Sequence, residues 1–130
     1  MKKINQNARK VMDKLTKDMG EHGHKKFGAD GDTYMPVVVE RLNNQGEMLV
    51  FSVAHYGKQN GDAMRDPEMV FAKCGEDYYP TYFRNDYMGL EQESLWIEDG
   101  KFKSVIPKLQ TEQATFAGKW MSNINEQQAL

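Results

Sequence analysis

Two dense polar blocks lie between Val53 and Glu93. The first holds His55, Gln59, Asn60, Asp62, Asp66 and Glu68; the second holds Arg84, Asp86, Tyr87, Glu91 and Glu93. An imidazole that titrates near neutrality, set among carboxylates, is the raw material of general acid–base catalysis. His22 and His24, two residues apart, could join His55 and Asp62 or Asp66 as nitrogen and oxygen ligands of a metal, with Asp30 and Asp32 as further donors. A small metal-dependent hydrolase is therefore one function class the residues allow. The patterns that would specify such chemistry are missing. The chain has no Gly-Xaa-Ser-Xaa-Gly elbow, no phosphate-binding loop and no His-Glu-Xaa-Xaa-His, and Asp30-Gly31-Asp32 lacks the spacing and distal glutamate of a calcium loop. Cys74 is the one cysteine, so neither an internal disulfide nor a cysteine-based zinc site can form; a buried or strand-end thiol is expected there. The residues therefore predict no catalytic group, no metal ligand and no cofactor.

The same blocks read first as structural wiring and then as a binding surface. Arg84 needs a carboxylate, and Asp66, Asp86 and Glu93 are the candidates, with Asp62 and Glu68 offered by the first block. The two blocks are therefore expected to meet in space. Tyrosine and arginine beside apolar residues are the side chains that dominate protein interfaces. From Asn60 to Asp99 there are ten acidic and three basic residues, which favours a basic protein partner. On this reading the partner-binding residues are His55, Gln59, Asn60, Asp62, Asp66, Glu68, Arg84, Asp86, Tyr87, Glu91 and Glu93. Residues 1–26 have the opposite balance, with eight Lys and Arg against three Asp and Glu. Lys3, Lys10, Lys14 and Lys17 form a stripe that suits nucleic acid or simply water, and this is the alternative function class. The net charge of −2 excludes a generic polyanion binder.

The elements that must hold these residues follow from periodicity. Ile4, Ala8, Val11, Met12, Leu15 and Met19 recur at helical spacing, with Asp13 and Lys17 as an i,i+4 pair and Gly20 as terminator. Residues 20–33 read as a loop. Residues 35–42 and 49–54 are strand-like runs joined by the turn cluster 43–46, and Leu49, Phe51, Val53 and His55 share one strand face. A loop is expected over 57–67, with Asn60-Gly61 as a positive-φ turn, then strands near 69–73 and 80–87. Asp99-Gly100 is a two-residue hairpin turn between 95–98 and 101–103. A closing helix spans about 109–127, with Thr111 as cap and Leu109, Phe116, Ala117, Trp120, Met121 and Ile124 as its apolar stripe. The order helix, five or six strands, helix predicts an α+β fold: a mainly antiparallel sheet flanked by an N-terminal and a C-terminal amphipathic helix. A chain of 130 residues makes one domain, 1–130. No signal core or membrane-length apolar run is present, so a soluble protein of the cytoplasm, without a membrane partner, is expected.

The runs His55-Tyr56-Gly57-Lys58-Gln59-Asn60-Gly61-Asp62, Asp66-Pro67-Glu68-Met69 and Arg84-Asn85-Asp86-Tyr87, with Gly89 and Glu91-Gln92-Glu93, resemble the signature of an uncharacterised bacterial domain family. The resemblance spans roughly 33–97, and the closing helix around Phe116, Trp120 and Ile124 is similar to that of longer members. The family is carried mostly by phages, plasmids and conjugative elements and has no established activity, so no residue role carries over. What the resemblance implies is a mobile-element accessory protein in a bacterial cytoplasm. Its expected function is to bind a host protein without catalysis, a defence nuclease complex that it inhibits being the specific expectation.

Overall fold

The computed structural model describes residues 1–130. Its elements, in chain order, are α1 (Gln6–Leu15), β1 (His24–Phe27), β2 (Val37–Arg41), β3 (Leu49–Gln59), β4 (Asp62–Cys74), β5 (Asp77–Asn85), β6 (Leu90–Glu93), β7 (Leu95–Glu98), β8 (Lys101–Val105) and α2 (Pro107–Gln127). Strands β1 to β6 form one antiparallel sheet in sequential order, and β7 and β8 form a separate two-stranded sheet. The α+β architecture read from the sequence is thus present, with the second hairpin split off as its own small sheet.

Antiparallel partners share a face of the sheet, and successive residues alternate faces. One face therefore carries Val37, Val39, Phe51, Val53, Met69 and Phe71, all buried. The apolar stripe of α1 (Ala8, Val11, Met12, Leu15) and that of α2 (Ala117, Trp120, Met121, Ile124) pack on this face in one continuous core with Ile4 and Tyr78. Asn5 caps α1 by accepting from the Ala8 N–H at 2.8 Å. The far end of the other face is met by β8, where Phe102 stacks edge-on against Tyr79 at 5.3 Å. There Gly46 and Gly100 touch: a Cβ on Gly46 would stand 2.7 Å from the Gly100 Cα, so the two turns can meet only as glycines.

Several local expectations are corrected. Residues 24–27, expected within a loop, form the short edge strand β1. The loop expected over 57–67 is strand on both sides of a tight turn: β3 runs to Gln59, β4 starts at Asp62, and Asn60 and Gly61 alone turn the chain with positive φ. α1 ends at Thr16, ahead of Gly20. The expected Asp13–Lys17 pair does not form; Asp13 instead accepts from the Tyr78 hydroxyl at 2.6 Å. Ile106, not Thr111, precedes the first turn of α2, with Pro107 inside it, and the Thr111 hydroxyl donates to the Pro107 carbonyl. Phe116 and Leu109 are not among the buried residues of α2, and Gln110 and Gln113 are. Cys74 ends β4 and is exposed, a strand-end thiol.

Candidate interaction site

The polar blocks meet, as expected, because β4 lies between β3 and β5. Asn85 Nδ2 donates to Asp66 Oδ1 at 2.9 Å, the Asp86 N–H donates to the Arg65 carbonyl at 2.9 Å, and the Tyr87 hydroxyl donates to the Lys58 carbonyl at 3.3 Å. The sheet nevertheless divides the sequence-derived site residues between its two faces. Glu68, Arg84, Glu91 and Glu93 occupy the face away from the helices. Glu68 is paired with Arg84 and Arg84 with Glu91, and Glu93 stands opposite Tyr82. His55 and Asp66 belong to the helix side. Gln59, Asn60 and Asp62 sit at the exposed tip of the β3–β4 hairpin, and Tyr87 lies exposed in the β5–β6 turn.

A β-bulge produces the division. Ala54 pairs with Glu68 and Tyr56 with Arg65, so His55 alone faces both Asp66 and Pro67. Pro67 has no N–H to give to the ladder, and a bulge is where a strand interior tolerates that loss. The bulge sets Asp66 towards His55 and keeps Arg65 and Glu68 on the opposite face.

On the outward face Asp86 is the hub. Its carboxylate accepts from the Arg65 N–H at 2.8 Å and from Arg84 Nε at 2.8 Å, and Arg65 Nη1 stands 3.6 Å away. These bonds, that from the Arg65 backbone first, hold the Asp86 carboxyl below the usual carboxylate range. The hydrogen bond to Asp86 in turn raises Arg84 above its ordinary value. Arg65 Nε also approaches Glu68 at 3.3 Å, and the Ser52 hydroxyl donates to Glu68 at 2.7 Å. Arg65 is therefore engaged with both Asp86 and Glu68, and Arg84 with Asp86. Glu91 and Glu93 are left exposed beyond them, with Glu91 accepting only a hydrogen bond from the Tyr82 hydroxyl, at 2.7 Å. Burial and that bond raise the Tyr82 pKa, and burial followed by the Glu68 charge raises that of Tyr56. Sequence reasoning missed Ser52, Tyr56, Arg65 and Tyr82 as members of this face; their outward register beside Glu68 and Arg84 is the signal that finds them.

His55 has a different setting. It is 6% exposed, and Trp120 Nε1 donates to its Nδ1 at 3.3 Å with the rings edge to face. Accepting at Nδ1 places the proton of the neutral ring on Nε2, and Nε2 has no hydrogen-bond partner. Burial lowers the His55 pKa, and the charge of Asp66 offsets part of that effect. The lone pair a general base would use is occupied by Trp120. His22 and His24 are exposed, and His24 stands opposite Glu40, three residues along β2 from the Val37 that pairs with His55. At about 3.3 Å per residue and 4.8 Å per strand, His24 and His55 are separated by well over any ligand-sharing distance. No group of three His, Cys, Asp or Glu side chains is placed to hold a metal ion. Of the lysine stripe, Lys3 reaches Asp77 at 3.5 Å and Lys14 reaches Asn125 at 3.3 Å, while Lys10 and Lys17 are exposed.

A two-layer α+β domain, with one sheet face covered by helices and the other bearing an ordered charge network, is the class of protein that the fold and the site define. Residues 6–130 match the model of a domain of unknown function, DUF6908, and the chain belongs to that family. The match takes in both helices and so extends well beyond residues 33–97. No curated protein and no solved structure matches the chain. No helix is long and apolar enough to cross a membrane.

Proposed function

We propose that this protein is a small non-enzymatic binding protein whose outward sheet face, from β3 to β6, docks a basic surface of a protein partner. The observation that carries the reading is the charge arrangement on that face. Arg65 is paired with Asp86 and Glu68, and Arg84 with Asp86, so the face turns the surplus carboxylates Glu91 and Glu93 outward beside Tyr82, with Tyr56 on the same face at β3. Pre-formed networks of this kind steer a complementary surface and fix its register. The tyrosines supply anchoring area at low entropic cost. The non-enzymatic part of the reading is supported by the occupied lone pair of His55 and by the separation of His24 from His55.

Resemblance of the polar blocks to a family carried by phages, plasmids and conjugative elements supports a mobile-element accessory role in the bacterial cytoplasm. It also supports a host protein as the partner, with inhibition of a defence nuclease complex as the specific form; nucleases are rich in the basic surface such a face would engage. The test is affinity capture from bacterial extract with the wild-type chain and with Glu91→Lys/Glu93→Lys, quantified by mass spectrometry. A basic protein retained by the wild type and lost from the variant is the expected result. Identical partner sets from both proteins would remove the outward face as the docking surface.

A further inference from the structure

The helix side of the molecule carries a second, oppositely charged feature. The N-terminal segment and α1 run alongside α2 and enclose a groove of about 880 Å³. The two helices point the same way. Asn5, at the start of α1, lies against Gly118, and Lys14, near its end, donates to Asn125 Oδ1 and to the Leu130 carbonyl. Gly118 is what lets the helices approach, because a Cβ there would come within 2.7 Å of Asn5 Nδ2.

Lys2, Lys3 and Lys119 line the groove together with the amides of Asn7 and Asn123 and the hydroxyl of Ser122, and no carboxylate lines it. The first turn of α1 opens onto it and contains no acidic residue, so the positive end of that helix is unopposed. Lys3 does reach Asp77, but at 3.5 Å and with 59% of its side chain exposed the contact is screened by water.

We propose that this groove binds the phosphate backbone of duplex nucleic acid without sequence preference. Lysines, side-chain amides, a hydroxyl and a helix N-terminus are the groups that contact phosphates. An acidic protein partner fits less well, because Ile4 and Ala114 are the only apolar residues in the lining and neither is the aromatic or arginine anchor of a protein hot spot. Single strands are disfavoured for a related reason: no aromatic side chain is present to stack their bases. The inference is independent of the protein-binding reading, which concerns the opposite face and is tested with other residues.

The experiment is fluorescence anisotropy of a labelled 20-base-pair DNA duplex of mixed sequence, and of the matching single strand, at 20 mM and 200 mM salt. The wild type is expected to bind the duplex at 20 mM and to lose affinity roughly 500-fold at 200 mM, as about three neutralised phosphates require. Lys2→Glu/Lys119→Glu is expected to weaken duplex binding at least tenfold and to reduce the log–log salt slope by about 2. Lys101→Glu/Lys103→Glu, an equal change of net charge on β8, is expected to stay within about threefold of the wild type. Thermal melts confirm that each variant is folded. Absence of duplex binding at 20 mM, tighter binding of the single strand, or equal weakening by both charge reversals would overturn the proposal.

Discussion

His55 is where residue chemistry and residue environment diverge most. Its alternation with Leu49, Phe51 and Val53 on one strand face is legible in the sequence, and that alone predicts burial. The tautomer is not legible, because it is set by Trp120, 65 residues further on, whose indole N–H takes the Nδ1 lone pair. Burial holds the imidazole below its ordinary 6.5. The folded state therefore binds fewer protons than the unfolded one wherever the unfolded imidazole is charged. Stability is insensitive to His55 well above pH 6.5, declines as pH falls through that value, and stops declining once the folded pKa is passed. His55→Gln is expected to flatten the dependence of melting temperature on pH between 7 and 5, measured by circular dichroism; an unchanged slope would show that another group is responsible. Asp86 acts lower on the scale. Its folded pKa is depressed, so its contribution is present above the ordinary carboxylate range near 4 and is lost as pH falls through it. Asp86→Asn is expected to lower the melting temperature at pH 7 and to shrink the acid limb of the same profile.

At the level of elements, the two hairpin turns were the most legible features. Asn60-Gly61 and Asp99-Gly100 both adopt positive φ at both positions, the geometry those pairs favour. Gly61→Ala is expected to cost about 1–2 kcal/mol, read by urea denaturation, because an L side chain is strained at a φ of +86°. The strands flanking Asn60-Gly61 were hidden by their own polarity. Lys58, Asp62 and Arg65 read as loop residues only if every strand must be apolar, whereas here the hairpin extends past the helices and one face meets water. β1 was hidden for a similar reason, being four residues of alternating exposure at the sheet edge. In α2 the misleading signal was hydrophobicity itself. Gln110 and Gln113 point inward because the bulge at Thr81 and the break between β6 and β7 at Ser94 leave backbone groups that need partners. Gln110 Nε2 donates to the Pro80 carbonyl at 3.1 Å; Gln113 Nε2 donates to the Gln92 carbonyl at 3.1 Å and its Oε1 accepts from the Ser94 hydroxyl. Gln113→Ala is expected to destabilise the protein by about 1–3 kcal/mol, since it leaves the Ser94 hydroxyl with only its 3.4 Å bond to the Pro80 carbonyl and removes the side-chain donor to the Gln92 carbonyl. A loss below about 0.5 kcal/mol in urea denaturation would mean that water replaces the amide at no cost.

Across the whole molecule, one core joins both helices to the sheet, with Tyr78 packed between α1 and β3 through Phe51 and bonded to Asp13 and Thr16. No element carries a separate core, so far-ultraviolet circular dichroism and tryptophan fluorescence are expected to report one coincident thermal transition. The charge asymmetry of the sequence becomes a spatial one: the lysine-rich N-terminus lies in the helix layer, and the acid surplus of 60–99 includes the outward sheet face. Composition told of the two charges, and only the strand register places Glu91 and Glu93 beyond arginines that are already paired. The most direct measurement is a nuclear magnetic resonance titration of the isotope-labelled chain with the protein it captures. Amide shifts concentrated at residues 52–58, 64–70 and 82–93, with α1 and α2 unmoved, are the expected result. Shifts confined to the helices, or spread evenly over the chain, would contradict the assignment of the outward sheet face as the partner site.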